Sequence, residues 1–379
     1  MKVALIHDHL AQDGGAEKVL KILADMFKEA PIYTLLYEER QVNKYFKGRQ
    51  IETSIIQKLP GGIKHYQWYL TFMPLAVEFF DLRHYDLVIS DTSSFAKGVI
   101  TSPSSLHICY CHTPTRYLWS DTHQYINELK YNKWFKKIIS SMLNRLRLWD
   151  RAAADRVDLF IANSYTVQKR IKKYYRRDSV VIYPPVDVNR FSVLEKESRP
   201  KVKYFLAGCR LAPYKRIDLV IEAFKLLGSD YHLKIFGDGV DLKRLQTLAL
   251  NHPQIEFLGR VSDEEQARLF AGAEAFLNPQ EEDFGITVIE SMAAGRPVIA
   301  YRRGGATETV IEGQTGLFFD EQTPDSLVTA IKKYCVTDFD VLAIRRHAEQ
   351  FSIANFERQI KDFIDKHYPA NVSNKNNAL

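Results

Sequence analysis

Short apolar runs, each long enough for one buried strand, alternate along the chain with stretches whose apolar residues recur every three or four positions. In the first half the runs are Val3 to Ile6, Leu87 to Ser90, Leu106 to Cys111, Leu159 to Ala162 and Val180 to Tyr183. In the second half they are Val202 to Ala207, Leu233 to Phe236, Ile255 to Leu258, Ala275 to Leu277, Val298 to Ala300 and Leu317 to Phe319. Continuous apolar runs separated by helical periodicity predict parallel strands buried on both faces, the α/β class. Between the two sets lies Tyr183-Pro184-Pro185-Val186-Asp187, then the polar stretch Glu195 to Pro200. Two prolines remove two backbone donors and force extended geometry, so a linker is expected there.

The pattern therefore predicts two Rossmann-like, doubly wound domains facing each other across a cleft at the carboxyl ends of both sheets. The boundaries read as 1–186 for the first domain, 187–200 for the linker and 201–350 for the second. A helix over 351–370 is expected to return to the first domain, and 371–379 to form a polar, disordered tail. At 379 residues the chain is in any case too long for one ordinary hydrophobic core.

Charge changes the picture more than composition does. Residues 1–190 carry 28 Lys or Arg against 19 Asp or Glu, a balance of +9, and the remainder carries −3, within a net charge of +6. A basic half favours anionic partners such as lipid headgroups or polyphosphate carriers; a solvated face is the plainer reading. A helix is predicted over Tyr131 to Trp149, where Trp134, Phe135, Ile138, Ile139, Met142, Leu146 and Trp149 recur at helical spacing among Lys133, Lys136, Lys137, Arg145 and Arg147. Such a helix either lies at an anionic membrane interface or packs on its own domain. The greasiest stretch, Leu70 to Phe80, is interrupted by Pro74 and Glu78 and is too short for a span. Met1 and Lys2 lead directly into a strand-like run, so no leader is expected, and the protein reads as cytoplasmic or peripheral on the cytoplasmic face of a membrane. Four cysteines make no disulfide scaffold and no zinc spacing, and no nucleic-acid module is recognisable among the basic residues.

The strongest chemical signal is the string from Asn278 through Glu281-Glu282-Asp283-Phe284-Gly285-Ile286-Thr287 to Glu290, followed by Ala294-Gly295-Arg296-Pro297. A strand ends, a loop carries acids, and a helix starts near Gly285 and stops at Gly295. Free N–H groups at that helix start suit a diphosphate, Glu282 can accept from sugar hydroxyls, and Glu290 suits the paired hydroxyls of a ribose. The plain alternative is a loop with a solvated helix face.

This string resembles the signature of glycosyltransferase family 4, a retaining family of GT-B fold, in which two glutamates separated by seven residues, as Glu282 and Glu290 are here, bracket a Phe-Gly. Cys209 to Asp218 looks like the family's strand-to-helix segment, which implies that Arg210 and Lys215 clamp the donor pyrophosphate as the leaving group gains charge. Gly14 and Gly15 resemble its N-terminal Gly-Gly turn, and Gly237 with Val261 lie in turns like those lining its nucleobase pocket. Asp283, Phe284, Gly285, Ile286 and Thr287 fall in the donor-binding stretch. Read alone, each glycine turn is a generic α/β loop.

His112 ends the run Leu106 to Cys111 within His112-Thr113-Pro114-Thr115-Arg116-Tyr117-Leu118-Trp119. The segment is similar to the histidine loop of bacterial polysaccharide and O-antigen mannosyltransferases, which implies that His112 meets the donor sugar and that Arg116 and Tyr117 meet the acceptor. A lone histidine after a strand is otherwise a satisfied polar residue. His7 and His9 lack further ligands for a metal, and in the single Asp-X-Asp pair, Asp338-Phe339-Asp340, Asp338 reads as a helix cap. Metal-independent chemistry without a resident cofactor is expected. The resemblance implies retaining transfer of a sugar, mannose from GDP-mannose in the first instance, to a polyprenyl-diphosphate-linked or cell-surface glycan. A UDP-sugar transferase, a nucleotide-sugar 2-epimerase and a non-catalytic sugar-nucleotide-binding subunit are the rival readings.

Overall fold

The computed structural model describes residues 1–12, 14–128, 132–192 and 202–368. The chain divides into two compact units, one formed by Met1–Tyr183 with the chain from Phe356 onward and the other by Pro184–Asn355. Seven parallel strands build the first sheet: β1 (Val3–His7), β2 (Ile32–Thr34), β3 (Ile51–Thr53), β4 (Leu87–Thr92), β5 (Leu106–Cys111), β6 (Leu159–Ala162) and β7 (Ser179–Val181). Their order is β3-β2-β1-β4-β5-β6-β7. The second sheet holds β8 (Tyr204–Gly208), β9 (His232–Phe236), β10 (Ile255–Gly259), β11 (Phe276–Asn278), β12 (Val298–Tyr301) and β13 (Gly316–Phe319), in the order β10-β9-β8-β11-β12-β13. Each order reverses direction once, between β1 and β4 and between β8 and β11. At such a switch point the loops leaving two neighbouring strands diverge and open a crevice at their carboxyl ends.

In the first unit the strand residues alternate between two covered faces. Ala4, Ile6 and Val88 belong to a buried cluster with Met73, Ala76 and Val77 of the helix Met73–Glu78 and Leu143 and Leu146 of the helix Lys133–Asp155. On the opposite face, Tyr110 meets Phe356 of the C-terminal helix Ile353–His367 edge to face at 5.7 Å and donates its hydroxyl to the Ile182 carbonyl. Each fully buried Leu or Ile in such a core contributes roughly 1.5–3 kcal/mol.

The helix expected over 131–149 starts at Lys133 and runs on to Asp155, because the Asn132 side chain accepts from the Phe135 N–H and caps it there. Tyr131 lies outside the described residues. Only the later turns are core: Leu143 and Leu146 are buried, whereas Trp134, Phe135 and Ile138 stand exposed at the start. The later part of the apolar stripe thus packs on its own domain, and its start is exposed.

The second unit's core joins Phe205, Ala207, Leu233, Ile235, Leu277 and Ile299 of the sheet to the helices Ile217–Leu227 and Pro324–Cys335. The helix Ile217–Leu227 buries six of its eleven residues, carries Asp218 in its first turn where the dipole favours an acid, and ends at Gly228 with φ 83°. Residues 187–192, expected to be linker, contain instead a short helix, Asn189–Ser192, because Phe191 is completely buried and meets Phe270 at 6.0 Å. Residues 193–201, the rest of that expected linker, and the expected tail over 371–379 are outside the described residues. A second correction concerns Asp338: the cap of the helix Val341–Ala348 is Asp340, which accepts from the Leu342 and Ala343 N–H groups. The helix begins two residues later than the acid pair implied. Among the described residues no helix is long and apolar enough to cross a membrane.

Candidate active site

In the first unit, parallel register sets the chemistry. β1 and β4 pair so that His7 lies directly beside Asp91, at the switch point of the sheet. His7 donates from Nδ1 to the Asp91 carboxylate at 2.9 Å, and its Nε2 lies 3.9 Å from Glu17. The next strand over, β5, ends at Cys111, so that His112 follows and donates from Nε2 to the other Asp91 oxygen at 2.7 Å. An ionised carboxylate only accepts, so Nε2 of His112 carries a proton toward Asp91. Asp91 is fully buried; burial pushes its carboxyl up, and the charges and hydrogen bonds of His112 and His7 more than reverse this, holding it below its ordinary value. Burial pushes His7 down, yet Asp91 and Glu17 outweigh it and raise the imidazole to about 10.

The neighbouring loop is equally ordered. Asp8 accepts from the N–H groups of Ser93, Phe95 and Ala96, each at 2.8 Å, and from the Thr92 hydroxyl at 2.8 Å, fixing the turn after β4. Buried Asp150, on the helix Lys133–Asp155, receives Lys97 at 2.5 Å, Thr115 at 2.9 Å, the Trp119 indole at 2.7 Å and the Tyr175 hydroxyl at 2.9 Å. Burial pushes the Lys97 ammonium down, but the Asp150 charge and hydrogen bond outweigh it and hold the ammonium above its ordinary value. These bonds clamp residues 113–119, the loop that follows His112. Within that loop Arg116 donates to Asp121 at 2.6 Å, and Tyr117, whose phenol burial drives upward, shares a hydrogen bond with Ser94 at 3.2 Å. Gly14 precedes the helix Gly15–Met26; a Cβ there would stand 2.8 Å from Glu17, whose second oxygen is buried and without a hydrogen-bond partner.

In the second unit the loops leaving β8 and β11 meet at the other switch point. Lys215, after β8, forms an ion pair with Glu282, after β11, and its ammonium lies 5.3 Å from the Tyr214 ring centre. Arg210 donates to the Tyr214 hydroxyl at 3.1 Å, so Arg210, Tyr214, Lys215 and Glu282 form one connected group. Burial pushes Lys215 down, but the Glu282 carboxylate outweighs it and holds the ammonium above its usual range. Glu282 also accepts from the Gln280 amide at 3.0 Å. Immediately beyond it Gly285, at φ 92°, starts the helix Ile286–Ala293, whose N-terminus no side chain caps. The Gly285 conformation is one that a side chain rarely adopts, and a Cβ would lie 3.2 Å from the Glu282 carboxylate. The carboxylate thus stands against the positive end of the helix.

A scan against protein-family models matches "Glycosyltransferase Family 4" over residues 13–190 and "Glycosyl transferases group 1" over residues 189–354. The chain belongs to the family 4, group 1 glycosyltransferases. Among curated relatives, the alpha-1,3/1,6-mannosyltransferase ALG2 of Dictyostelium discoideum is 23% identical, the alignment covering 86% of this chain and 87% of that protein. The GDP-mannose-dependent alpha-(1-6)-phosphatidylinositol monomannoside mannosyltransferase of Mycolicibacterium smegmatis is 32% identical over 45% of this chain and 49% of its own length. The chain spans about half the length of several such relatives. Its fold is GT-B: the crystal structure of Anabaena HepE in complex with UDP and glucose superposes with a TM-score of 0.71 at 20% identity, covering 96% of this chain and 99% of that one.

In this glycosyltransferase the expected site residues fall into three groups. Arg210, Lys215 and Glu282 come together, with Asp283, Phe284, Gly285, Ile286 and Thr287 following on the loop and helix start. Phe284 is a packing residue, buried edge-on against Phe351 at 5.8 Å. Glu290 has different company: it is buried, accepts from Arg190 at 3.2 Å and from Gln266 at 3.2 Å, and Arg190 also pairs with Asp263 at 3.3 Å. Gly237 adopts φ 114°, and a side chain there would run into the Cys209 carbonyl, so this turn packs under the Arg210 segment. Val261 is partly buried in the loop after β10. His112 forms the third group with Asp91, His7 and Glu17. Asp91, Asp8, Asp150 and Arg190 carry no signal in their own segments; each acts on a partner between 21 and 100 residues away.

Proposed function

We propose that this chain transfers mannose from GDP-mannose, with retention of configuration, to a lipid-linked glycan on the cytoplasmic face of a membrane. The observation that carries the reading is the connected group Arg210, Tyr214, Lys215 and Glu282 beside an uncapped helix N-terminus. Two cations and free backbone N–H groups suit a pyrophosphate whose charge grows as the glycosidic bond breaks. Glu282, now held by Lys215, is suited to accept from sugar hydroxyls once the anionic donor engages that lysine. Glu290 is assigned to the ribose, with Arg190 and Gln266 orienting its carboxylate. The first unit supplies His112, whose orientation by Asp91 directs Nδ1 to the donor sugar, while Arg116 and Tyr117 serve the acceptor side.

In the proposed reaction the acceptor oxygen bonds to the anomeric carbon from the face the nucleotide leaves. The bond from that carbon to the phosphate oxygen breaks, and the departing phosphate takes the acceptor's proton. The mannosyl assignment draws on the mannosyltransferase relatives. The presence of UDP and glucose in HepE, a protein of the same fold, favours a UDP-sugar as the second reading.

Incubation with GDP-mannose, UDP-glucose or UDP-N-acetylglucosamine and a polyprenyl-diphosphate glycan extract separates the two. Release of GDP with an α-linked product by NMR is the expected outcome. Turnover of a UDP-sugar in preference to GDP-mannose rejects the donor, and a β-linked product rejects the mechanism.

A further inference from the structure

Residues 66–79 of the first unit present an apolar stripe to solvent. The segment runs through the short 3-10 helix Tyr66–Tyr69 and into the helix Met73–Glu78. Its inner side is core, since Met73, Ala76 and Val77 are at most 3% exposed. Its outer side carries Trp68, Phe72, Leu75 and Phe79, exposed by 69, 58, 48 and 68%. Phe72, Leu75 and Phe79, three and four residues apart, fall on one side of the helix Met73–Glu78 and its two ends, and Trp68 is exposed on the 3-10 helix before it. Single exposed apolar residues are ordinary; three aromatics and a leucine in line mark an interaction surface.

Charge indicates the occupant. No Asp or Glu occurs between Glu52 and Glu78, whereas Lys58 and Lys64 are exposed within that interval. Glu78 is engaged inward, accepting from the Trp149 indole at 2.9 Å and pairing with Arg156 at 2.6 Å. The helix Lys133–Asp155 packs on the same buried cluster and therefore covers the same face of the sheet. Between Lys133 and Trp149 it has five cations and no acid, with Trp134 and Ile138 exposed. A second copy seated on this face would bring a second set of the same cations close to the first, which like-charge repulsion disfavours. Anionic headgroups above an apolar layer match both features.

We infer that the Trp68, Phe72, Leu75 and Phe79 face inserts into the interface of an anionic lipid bilayer, with Lys58 and Lys64 on the headgroups. The inference is independent of which sugar is transferred. It is tested with the full chain and phosphatidylcholine vesicles prepared with and without phosphatidylglycerol, by flotation and by quenching of tryptophan with brominated acyl chains. The wild type should float with the anionic vesicles and be released by salt. Phe72→Ser with Phe79→Ser should weaken partitioning at least roughly tenfold, because two aromatic anchors are lost, and Lys58→Glu with Lys64→Glu should act in the same direction. Trp68→Phe should still float but lose most of the quenching, a readout that does not depend on how the serine variants fold. Binding unaffected by the serine pair overturns the assignment. So does quenching that survives Trp68→Phe and disappears with Trp134→Phe, or failure of the wild type to bind while the serine pair converts a dimer to a monomer in gel filtration.

Discussion

Replacing Asp91 with Asn tests the buried histidine pair directly. The wild-type carboxylate accepts from His7 at 2.9 Å and His112 at 2.7 Å with no solvent exposure. An asparagine keeps the shape, removes the charge and offers one acceptor where two are used. His7 would then be a buried cation without the carboxylate it donates to, with Glu17 3.9 Å away. Breaking one side of a buried pair in this way costs about 3–5 kcal/mol. The titration of His7 gives an independent ceiling. Its imidazole is raised from 6.5 to about 10 in the folded state, and at ~1.4 kcal/mol per pKa unit this amounts to roughly 4–5 kcal/mol of linkage. A raised histidine stabilises the fold fully below its unfolded value and loses that contribution as pH climbs through the folded one. The wild type should therefore lose stability between about pH 6.5 and 10, and the gap to Asp91→Asn should be widest at the acid end of that window. All four tryptophans, at 68, 119, 134 and 149, lie in the first unit. Urea unfolding followed by their emission reports that unit alone, and ring NMR follows His7 itself. Transfer should fall by at least roughly 100-fold, since His112 loses the group that orients it. A wild-type His7 that titrates near its ordinary value, or a stability gap that does not change with pH, would refute the electrostatic account.

The other predictions rest on separate parts of the structure. Arg210→Ala, Lys215→Ala and Glu282→Ala should each cut transfer by roughly two or more orders of magnitude; near-normal turnover in all three would dismiss the proposed donor site. Asp150→Asn leaves Lys97 buried without its counter-ion and unclamps Thr115 and Trp119, so urea titration should show a loss of about 3–5 kcal/mol in the first unit. Asp340→Ala removes a cap that two N–H groups use and should cost about 1 kcal/mol, whereas Asp338→Ala should be close to neutral in the same thermal melt.

What can be read from sequence follows from how local each determinant is. Eleven of the strands announce themselves as apolar runs, and the prolines at 184 and 185 fall where one unit gives way to the other. The two strands without such a signal, Ile32–Thr34 and Ile51–Thr53, read Ile-Tyr-Thr and Ile-Glu-Thr, with too few consecutive apolar residues for a run to stand out. Arg210, Lys215 and Glu282 come from two loops whose residue types already suggest an anion and a sugar, and β8 and β11 are neighbours in the sheet. The histidine cluster is different in kind. His112 stands out in its own segment, but nothing in the segments of His7 and Asp91 links them to it, and only the pairing of β1 with β4 and of β4 with β5 brings the three into contact. A slip of one residue between β1 and β4 would turn Asp91 to the opposite face of the sheet from the one it shares with His7. Their chemistry is therefore a property of register, which periodicity alone does not encode. The same holds for Arg190 and Glu290, which lie 100 residues apart. Buried charge of this kind is stable only when its partner arrives with the correct register, so the fold and the proposed site are held to one alignment of strands.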